Sequence, residues 1–345
     1  MRAGAATLID RALADGVASA ATAEVGRSAG PVWTHAAGHL AATRGAPRAA
    51  ADTVFDLASL TKVLATTAIA RELAGAGRLD LDAPVASLIP GWSGADRRAV
   101  TVADLLAHAS GLPAHRPYYL TLRARPAFEG AICVEPLDYA PRSASVYSDL
   151  GFMLLGFVLE DAGGAPLDRQ FDAWRARTIG EDREVRYGCP DAWRPRTAAT
   201  EDDPWRARLL TGEVHDENAW ALGGVAAHAG LFGTAAATGL AARWWLELAR
   251  RPDPLTERFL RRSLVPGSSR ALGWDTMLPT SSCGTRLSPA AIGHTGFTGT
   301  SVWIDPEQDL YVVLLTNRVH PTRAGEGIQA LRRAFHDAVV ADLAV

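Results

Sequence analysis

Lysine is almost absent from this sequence, although basic residues are not. Lys62 is the single lysine among 35 basic side chains, which face 38 acidic ones in a chain of 345 residues. A P-loop is excluded, because its lysine follows a glycine and Thr61 precedes this one. The formal charge of −3 argues against a dedicated nucleic-acid surface. If Lys62 has a chemical role, no other lysine can replace it.

Clustered cysteines and long apolar runs are missing too. Cys133, Cys189 and Cys283 lie far apart, without the spacing of a disulfide framework or a metal site. The apolar runs at 151–159 and 310–315 are much shorter than the roughly 20 residues that cross a membrane. The N-terminus lacks the apolar region of a signal peptide. We therefore expect a cytoplasmic protein without a membrane span, while a start further upstream that includes an export signal stays open.

The period of the hydrophobic pattern changes along the chain. Alternating residues at 17–25 and 32–40 predict a hairpin, and alternation at 300–304 and 310–316 predicts two strands near the C-terminus. Helical spacing and helix-capping residues predict helices at 7–13, 57–75, 149–162, 234–250 and 327–343. This order favours an α+β fold, in which a sheet built from both ends of the chain accompanies a helical insertion.

Ser59 and Lys62 lie one turn apart at the start of a predicted helix. Residues three apart on a helix are neighbours, and the helix dipole favours negative charge near its first turn. A desolvated lysine at this distance can take a proton from the serine hydroxyl. The pair therefore predicts a nucleophilic serine. The alternative is a serine N-cap beside a lysine that extends along the surface into water.

Two later segments can complete such a site. Tyr147 directly precedes the helix predicted from 149, so its phenol oxygen can face the same cleft. His294 and Gly296 directly precede a predicted edge strand, where glycine lets a substrate approach the backbone. The order Ser-x-x-Lys, Tyr-x-Asp and His-Thr-Gly is similar to the three motifs of the penicillin-recognising serine hydrolases.

The resemblance extends well beyond these three motifs. The run at 55–62 resembles the segment that leads into the nucleophile of the class C β-lactamase and DD-peptidase superfamily, which includes the family VIII esterases. Other segments similar to this superfamily are 77–85, 105–112, 147–152, 229–234 and 294–299. Together they identify the chain as a member from about Val17 to the C-terminus.

This resemblance implies a fold in which an active-site cleft separates two domains. We expect an α/β domain formed by 1–78 and 235–345, with an antiparallel sheet flanked by terminal helices. We expect a mostly helical domain over 79–234, with an Arg- and Trp-rich excursion at 168–208 that is solvated and partly irregular.

The resemblance also implies covalent acyl transfer. Ser59 is then the nucleophile, and Lys62 and Tyr147 move its proton. The backbone N–H groups of Ser59 and Phe297 then form the oxyanion hole. We favour Tyr147 as the base, because a nearby Asp149 would keep Lys62 charged, and the charged lysine would lower the tyrosine pKa.

On the substrate side, the resemblance implies contacts from Asp149, His294, Thr295 and Gly296. Arg318 follows a predicted strand and can pair with a substrate carboxylate, or alternatively form a surface ion pair. Asp149 and His294 stand where many relatives have asparagine and lysine. Both changes make the site less positive, so efficient hydrolysis of carboxylate-bearing β-lactams is not expected.

Segments 214–218, 228–230 and 316–321 are similar to superfamily members that act on cell-wall peptides. We therefore predict a serine hydrolase that cleaves an amide or peptide bond of a small substrate, a muropeptide or D-amino-acid peptide. It needs no cofactor or metal and has no nucleic-acid partner. One alternative is a carboxylesterase on short acyl esters with weak or no β-lactamase activity. The other is a penicillin-binding sensor without turnover. The oligomeric state stays open.

Three further features have simpler interpretations. Ser28 lies in a Gly-x-Ser-x-Gly motif, but a strand rather than a helix follows it, so it is not expected to be a nucleophile. His215 stands beside two acidic residues without zinc-ligand spacing, and we expect it to form hydrogen bonds. His108 is expected to be structural, and the role of His228 stays open. The tryptophans that can line a cleft are Trp174, Trp193 and Trp205.

Overall fold

The computed structural model of the chain describes residues 4–263 and 265–343. Its strands are β1 (Ala20–Arg27), β2 (Gly30–Gly38), β3 (Phe55–Asp56), β4 (Val185–Tyr187), β5 (Asp202–Asp203), β6 (Arg208–Leu209), β7 (Leu231–Gly233), β8 (Asp275–Thr276), β9 (Ile292–Thr295), β10 (Ser301–Asp305) and β11 (Leu310–Thr316). Its α-helices are α1 (Gly4–Ala14), α2 (Thr67–Gly75), α3 (Val102–Leu106), α4 (Ala124–Val134), α5 (Asp149–Gly163), α6 (Leu167–Thr178), α7 (Glu217–Ala221), α8 (Ala235–Arg250), α9 (Pro254–Leu260) and α10 (Ile328–Leu343). Short 3₁₀ turns occupy Val85–Ser87, Tyr118–Leu120 and Asp191–Arg196.

The main sheet has six strands in the order β2-β1-β11-β10-β9-β8, and every pair is antiparallel. The hairpin β1–β2 and the pair β10–β11 confirm the strands predicted at the two ends of the chain. The α+β fold class is also confirmed. One detail is wrong: the strand that follows the His-Thr-Gly segment, β10, is not an edge strand, because it pairs with β9 on one side and with β11 on the other.

Both faces of this sheet are covered. Val312 and Leu314 of β11 pack with α1 and α10, whereas Val313 and Leu315 pack in the cluster that includes Trp245 of α8. Because successive side chains of a strand point to opposite faces, β11 is buried at every position and has a continuous apolar sequence. The strands next to the catalytic motifs therefore rest on a rigid, two-sided support.

The helix after Ser59 is not a regular α-helix from its start. Residues Lys62–Thr66 form a π-helical segment before α2 begins at Thr67. The hydroxyl of Thr66 donates to the carbonyl of Ala227 at 2.7 Å, and the hydroxyl of Thr67 donates to the carbonyl of Lys62 at 2.8 Å. These side-chain bonds stabilise a wider turn, a feature often found at functional sites. The predicted continuous helix is corrected accordingly.

The Arg- and Trp-rich excursion is more ordered than the sequence predicts. It contains the regular helix α6, whose Phe171 and Trp174 are buried and stack with their ring centroids 5.5 Å apart. Trp174 also meets Trp244 edge to face at 5.2 Å. The expectation that Trp174 lines a cleft is therefore wrong, because its aromatic neighbours place it in the core.

The domain boundaries at 78 and 235 stay a prediction. The six-stranded sheet is formed by residues 20–38 and 275–316, but one apolar cluster joins Leu64, Leu154 and Val313 across the predicted boundary.

Within the described ranges, no single helix is long and apolar enough to cross a membrane. Only α5 and α6 taken together pass such a test, and they meet at an angle of 69°.

Candidate active site

A strained turn places Ser59 at the entrance to the first long helix. Ala58, just before it, has φ +48°, a left-handed conformation that costs energy for a residue with a Cβ. The buried carboxylate of Asp56 supports this turn by accepting the N–H of Ala58 at 2.8 Å and that of His215 at 2.7 Å. The hydroxyl of Thr61 donates to the carbonyl of Ala58 at 2.7 Å. Side chains before and after Ala58 in the sequence, those of Asp56 and Thr61, therefore stabilise this turn.

Two polar side chains contact the Ser59 hydroxyl. Tyr147 Oη donates to Ser59 Oγ at 2.8 Å, and Lys62 Nζ donates to it at 3.2 Å. Lys62 Nζ also donates to Asp149 Oδ1 at 2.7 Å and to the carbonyl of His228 at 3.0 Å. The lysine side chain has no solvent exposure, so the alternative of a surface lysine is wrong. Its three bonds match the three donors of an ammonium group, so Lys62 is charged in this state.

The pKa values of this pair differ from the expectation. Burial is the largest single effect on Lys62 and lowers its pKa, but Asp149 and Tyr147 together outweigh it, so the lysine pKa is raised above its ordinary value. Burial also raises the pKa of Tyr147, and the opposing effect of the Lys62 charge is smaller. The expected lowering of the tyrosine pKa is therefore wrong in its net direction, because desolvation of the phenolate dominates. In the resting site, both groups carry their protons.

His108 supports the tyrosine from behind. Its ring centroid lies 4.7 Å from that of Tyr147 and 4.8 Å from that of Phe152. Its Nδ1 accepts the N–H of Ser148 at 3.0 Å. Burial and the charge of Arg270 hold the pKa of His108 well below its usual value, so the ring is neutral. This geometry agrees with the structural role expected for His108.

His294 lies on the other side of the tyrosine, with ring centroids 5.8 Å apart. It is buried, its Nδ1 contacts the carbonyl of Thr295 at 2.9 Å, and its Nε2 has no partner among the described residues. Burial and the charge of Arg270 hold the pKa of His294 well below its usual value. The guanidinium of Arg270 is 5.3 Å from the centroid of the Tyr147 ring. Arg270 is therefore a cation beside Tyr147 that acts on His294 and that the sequence did not single out.

Ser59 opens into a cavity of about 310 Å³. The polar residues that sequence reasoning missed include Tyr119 and Arg323, which lie far along the chain from the three motifs. The full lining comprises Ala58, Ser59, His115, Tyr119, Tyr147, Asp149, His215, Asp216, Glu217, Ala229, Phe297 and Arg323. His215, Asp216 and Glu217 are consecutive, so the sequence could indicate that they lie together. No motif marks Tyr119 or Arg323.

The polar side chains of this cavity neutralise one another. Arg323 pairs with Glu201 at 2.6 Å and with Glu217 at 2.7 Å, and His215 contacts Glu201 at 2.9 Å. Burial would raise the pKa of Glu201, but hydrogen bonds from His215 and Arg323 lower it to about 2. Within residues 4–263 and 265–343, no group of three or more His, Cys, Asp or Glu side chains could hold a metal ion. The hydrogen-bonding role expected for His215 matches its contact with Glu201.

Ser59 and Phe297 both line this cavity, and their backbone N–H groups have no protein acceptor in the described part of the chain, so their role as an oxyanion hole stays a prediction. Phe297 is half exposed, and His215 stacks on its ring with centroids 5.7 Å apart. Packing also requires the neighbouring Gly296, whose contact with substrate stays a prediction. A Cβ there would lie 2.7 Å from the carbonyl oxygen of Leu57, so only glycine lets this turn pack beside the nucleophile's strand.

Arg318 is close to the site but turned toward the backbone. Its Nε donates to the carbonyl of Phe297 at 2.8 Å, its Nη1 donates to the carbonyl of Arg323 at 2.9 Å, and its guanidinium stacks 4.3 Å from the Phe297 ring centroid. In the described chain it forms no ion pair, so the surface ion pair is wrong. Neither Arg318 nor His294 belongs to the described lining of the cavity. Their predicted contacts with substrate stay predictions.

The other sequence features have clear places. Ser28 lies in the turn of the hairpin β1–β2, and its hydroxyl donates to Asp309 at 3.0 Å. Trp205 packs on Tyr119, which lines the cavity, with ring centroids 4.7 Å apart. His228 contacts the carboxylate of Asp216 at 2.8 Å while its carbonyl binds Lys62. These contacts leave Ser59 as the serine with a lysine and a tyrosine at its hydroxyl.

The fold and the site together define a serine hydrolase with the β-lactamase fold. The sequence profile named Beta-lactamase matches residues 5–335, and the chain belongs to this family. It is 33% identical over 312 residues to a protein of Salmonella gallinarum named "Putative D-alanyl-D-alanine carboxypeptidase". That alignment covers 79% of this chain and 71% of the relative.

Solved structures show the same fold at low sequence identity. One is EstCE1, described as a hydrolase with promiscuous acyltransferase activity, with a TM-score of 0.76, 20% identity and coverage of 97% of both chains. Another is a class C β-lactamase from Rhodobacter sphaeroides, with a TM-score of 0.76 and 18% identity, which covers 99% of this chain and 100% of the other. These similarities establish the fold.

Proposed function

We propose that the protein forms an acyl-enzyme through Ser59 and cleaves an amide or peptide bond of a small muropeptide or D-amino-acid peptide. The observation that carries this proposal is the contact of Ser59 Oγ with both Tyr147 Oη and Lys62 Nζ at the cavity. The name of the Salmonella relative supports a D-alanyl peptide as the substrate class. A cavity of about 310 Å³ suits a small substrate.

Acylation begins when the Lys62–Tyr147 pair loses one proton. Tyr147, as phenolate beside the charged lysine, takes the Ser59 hydroxyl proton while Oγ attacks the substrate carbonyl carbon. The carbonyl oxygen becomes negative and is bound by the N–H groups of Ser59 and Phe297. One such donor typically contributes about 3–4 kcal/mol to the transition state.

The acyl-enzyme then forms and is hydrolysed. Tyr147 passes its proton to the leaving amine, the C–N bond breaks, and the acyl group remains as an ester on Ser59. A water molecule attacks this ester, and Tyr147 takes one of its protons and returns one to Ser59 Oγ. Lys62 stays charged and bound to Asp149 throughout, so it stabilises the phenolate without itself transferring a proton.

A second candidate is a carboxylesterase that acts on short, uncharged acyl esters. The observation that favours it is the neutral, buried His294 beside Tyr147, which stands where many relatives have a lysine. A neutral histidine attracts a substrate carboxylate less than a lysine does. The same observation supports weak β-lactamase activity in either case.

The deciding experiment is a substrate panel followed by mass spectrometry. Muropeptides, D-amino-acid peptides, β-lactams and p-nitrophenyl acetate are each incubated with the wild type and with Ser59→Ala. We expect turnover of a D-amino-acid peptide by the wild type and no covalent adduct on the variant. Turnover of esters alone would favour the carboxylesterase. A stable adduct on wild-type Ser59 without product release would instead support the penicillin-binding sensor.

A further inference from the structure

Arg332 of α10 is a buried cation that the proposed mechanism does not use. Its side chain is 3% exposed, and in the residues that the structure describes it pairs with no carboxylate. Burial and the nearby charge of Arg318 lower its pKa to about 9. Burying an uncompensated charge is costly, and an apolar side chain of similar length would fill the same volume. The hydrogen bonds of this guanidinium therefore indicate its role.

Its partners are the two carbonyls that begin and end one turn. Arg332 Nη2 donates to the carbonyl of Gly296 at 2.8 Å and to that of Thr300 at 2.8 Å. The N–H of Gly296 in turn donates to the carbonyl of Thr300 at 2.8 Å. Phe297 follows Gly296 directly, so the guanidinium is bound to the peptide group whose N–H is the Phe297 donor of the proposed oxyanion hole.

A peptide group links the two ends of this arrangement. The bond between Gly296 and Phe297 is trans, so the Gly296 oxygen and the Phe297 hydrogen point in opposite directions within one plane. A hydrogen bond to the oxygen therefore sets the direction of the N–H. A positive charge at the oxygen also polarises the peptide and strengthens its N–H as a donor.

The next peptide group is held in a similar way. The carbonyl of Phe297 accepts from Arg318 Nε at 2.8 Å, on the exposed side of the turn. The two peptide groups that flank Phe297 thus each bind one guanidinium, one from the buried Arg332 and one from the half-buried Arg318. This double support limits rotation of the Phe297 N–H away from the cavity.

We propose that Arg332 is a positioning residue that orients and polarises the Gly296–Phe297 peptide as the second donor of the oxyanion hole. This inference rests on the proposed function, because it concerns the same acyl transfer at Ser59. Its rival is a purely structural role, in which Arg332 stabilises the turn at 296–300 and its removal only lowers stability. The two roles differ in what happens to the transition state of a fully folded variant.

The test compares Arg332→Met, Arg332→Lys and the matched control Arg333→Met. Arg333 is the next residue of α10 and also donates to backbone carbonyls, of Ser281 at 2.9 Å and of Pro279 at 3.1 Å, away from the turn at 296–300. Each variant is assayed with p-nitrophenyl acetate for kcat and KM, and with phenylboronic acid. The boronate adduct of Ser59 places an oxygen in the oxyanion hole, so its affinity reports on the donors.

We expect Arg332→Met to lower kcat and phenylboronic acid affinity in parallel, by about 10- to 100-fold, with KM changed less than about twofold. Arg332→Lys, which keeps the charge but loses the planar guanidinium, gives an intermediate loss. Arg333→Met stays within about twofold of the wild type in each quantity. All assays are run at a temperature where thermal unfolding shows every variant to be folded.

The inference is overturned if folded Arg332→Met matches Arg333→Met in kcat and in boronic acid affinity. If Arg332→Met does not fold, Arg332→Lys decides: parallel losses support the inference, and unchanged values overturn it. Failure of acyl transfer at Ser59 looks different, since the wild type would then neither hydrolyse the ester nor bind phenylboronic acid at Ser59. Wild-type turnover without an effect at Arg332 rejects this inference alone.

Discussion

Two buried cations in the region of Ser59 have opposite environments. Lys62 has a carboxylate at 2.7 Å and its pKa is raised, whereas Arg332 contacts carbonyls and its pKa is lowered to about 9. The lysine belongs to a cluster in which a proton can be exchanged, with Tyr147 and Asp149. Arg332, in contrast, binds the turn at 296–300 that connects β9 to β10. We infer that the cluster around Lys62 serves proton transfer, whereas Arg332 fixes the geometry of its turn.

The largest effect is expected where proton transfer is removed. Tyr147→Phe deletes the hydroxyl that donates to Ser59 Oγ, so we expect kcat for an amide substrate to fall by about 10³-fold. Tyr118→Phe is the matched control, because its hydroxyl contacts Glu135 instead. Steady-state kinetics on both variants measure the effect. Turnover by Tyr147→Phe close to that of the wild type would remove the tyrosine from the proton path.

A pH profile tests whether Asp149 sets the charge of Lys62. The carboxylate raises the lysine pKa, so in Asp149→Asn that pKa falls. The active form has lost one proton from the coupled Lys62–Tyr147 pair. In Asp149→Asn the pair loses this proton at lower pH, so kcat/KM begins to rise at lower pH than in the wild type. The profile of Asp138→Asn, an exposed acid elsewhere, should follow the wild type. A rise that stays in place, or moves to higher pH, would show that Asp149 does not control the pair.

A smaller effect is expected on stability, from the polar network beside Phe297. Glu201 has a pKa lowered to about 2, so its contribution is present above the ordinary value near 4.5 and is lost as pH falls toward 2. Glu201→Gln should reduce the free energy of unfolding at pH 7 by about 1–2 kcal/mol, since solvent screens this partly exposed network. Denaturant titrations at several pH values measure this. An identical loss for wild type and variant between pH 5 and 2 would show that Glu201 is not the group responsible.

The sequence predicts the elements whose pattern depends on nearby residues. The strands β1, β2 and β10 are predicted from alternation, β11 is recognisable as a short continuous apolar run, and the helices α5, α8 and α10 follow from helical spacing. Ser59, Lys62 and Tyr147 follow from spacing and from the order of three motifs. The π-helical start of the first helix does not, because it depends on the bond from Thr66 to Ala227, 161 residues away.

The sequence does not show which arginines of this chain lie near the site. Nearly all of the 35 basic residues are arginines, so composition cannot distinguish Arg270 or Arg332 from exposed ones. Their partners come from the folded chain: Tyr147 for the first, and the turn at 296–300 for the second. The single lysine, by contrast, stands out, and it is the basic residue that contacts Ser59.

The most direct test is acylation of Lys62→Arg, followed by intact-protein mass spectrometry with p-nitrophenyl acetate or a D-amino-acid ester. Arginine keeps the positive charge but is larger and has no compact ammonium to bind Ser59, Asp149 and the His228 carbonyl together. We predict that acyl-enzyme formation falls by about 10³-fold, close to the background of Ser59→Ala. Acylation of Lys62→Arg at the wild-type rate would contradict the assignment of this site.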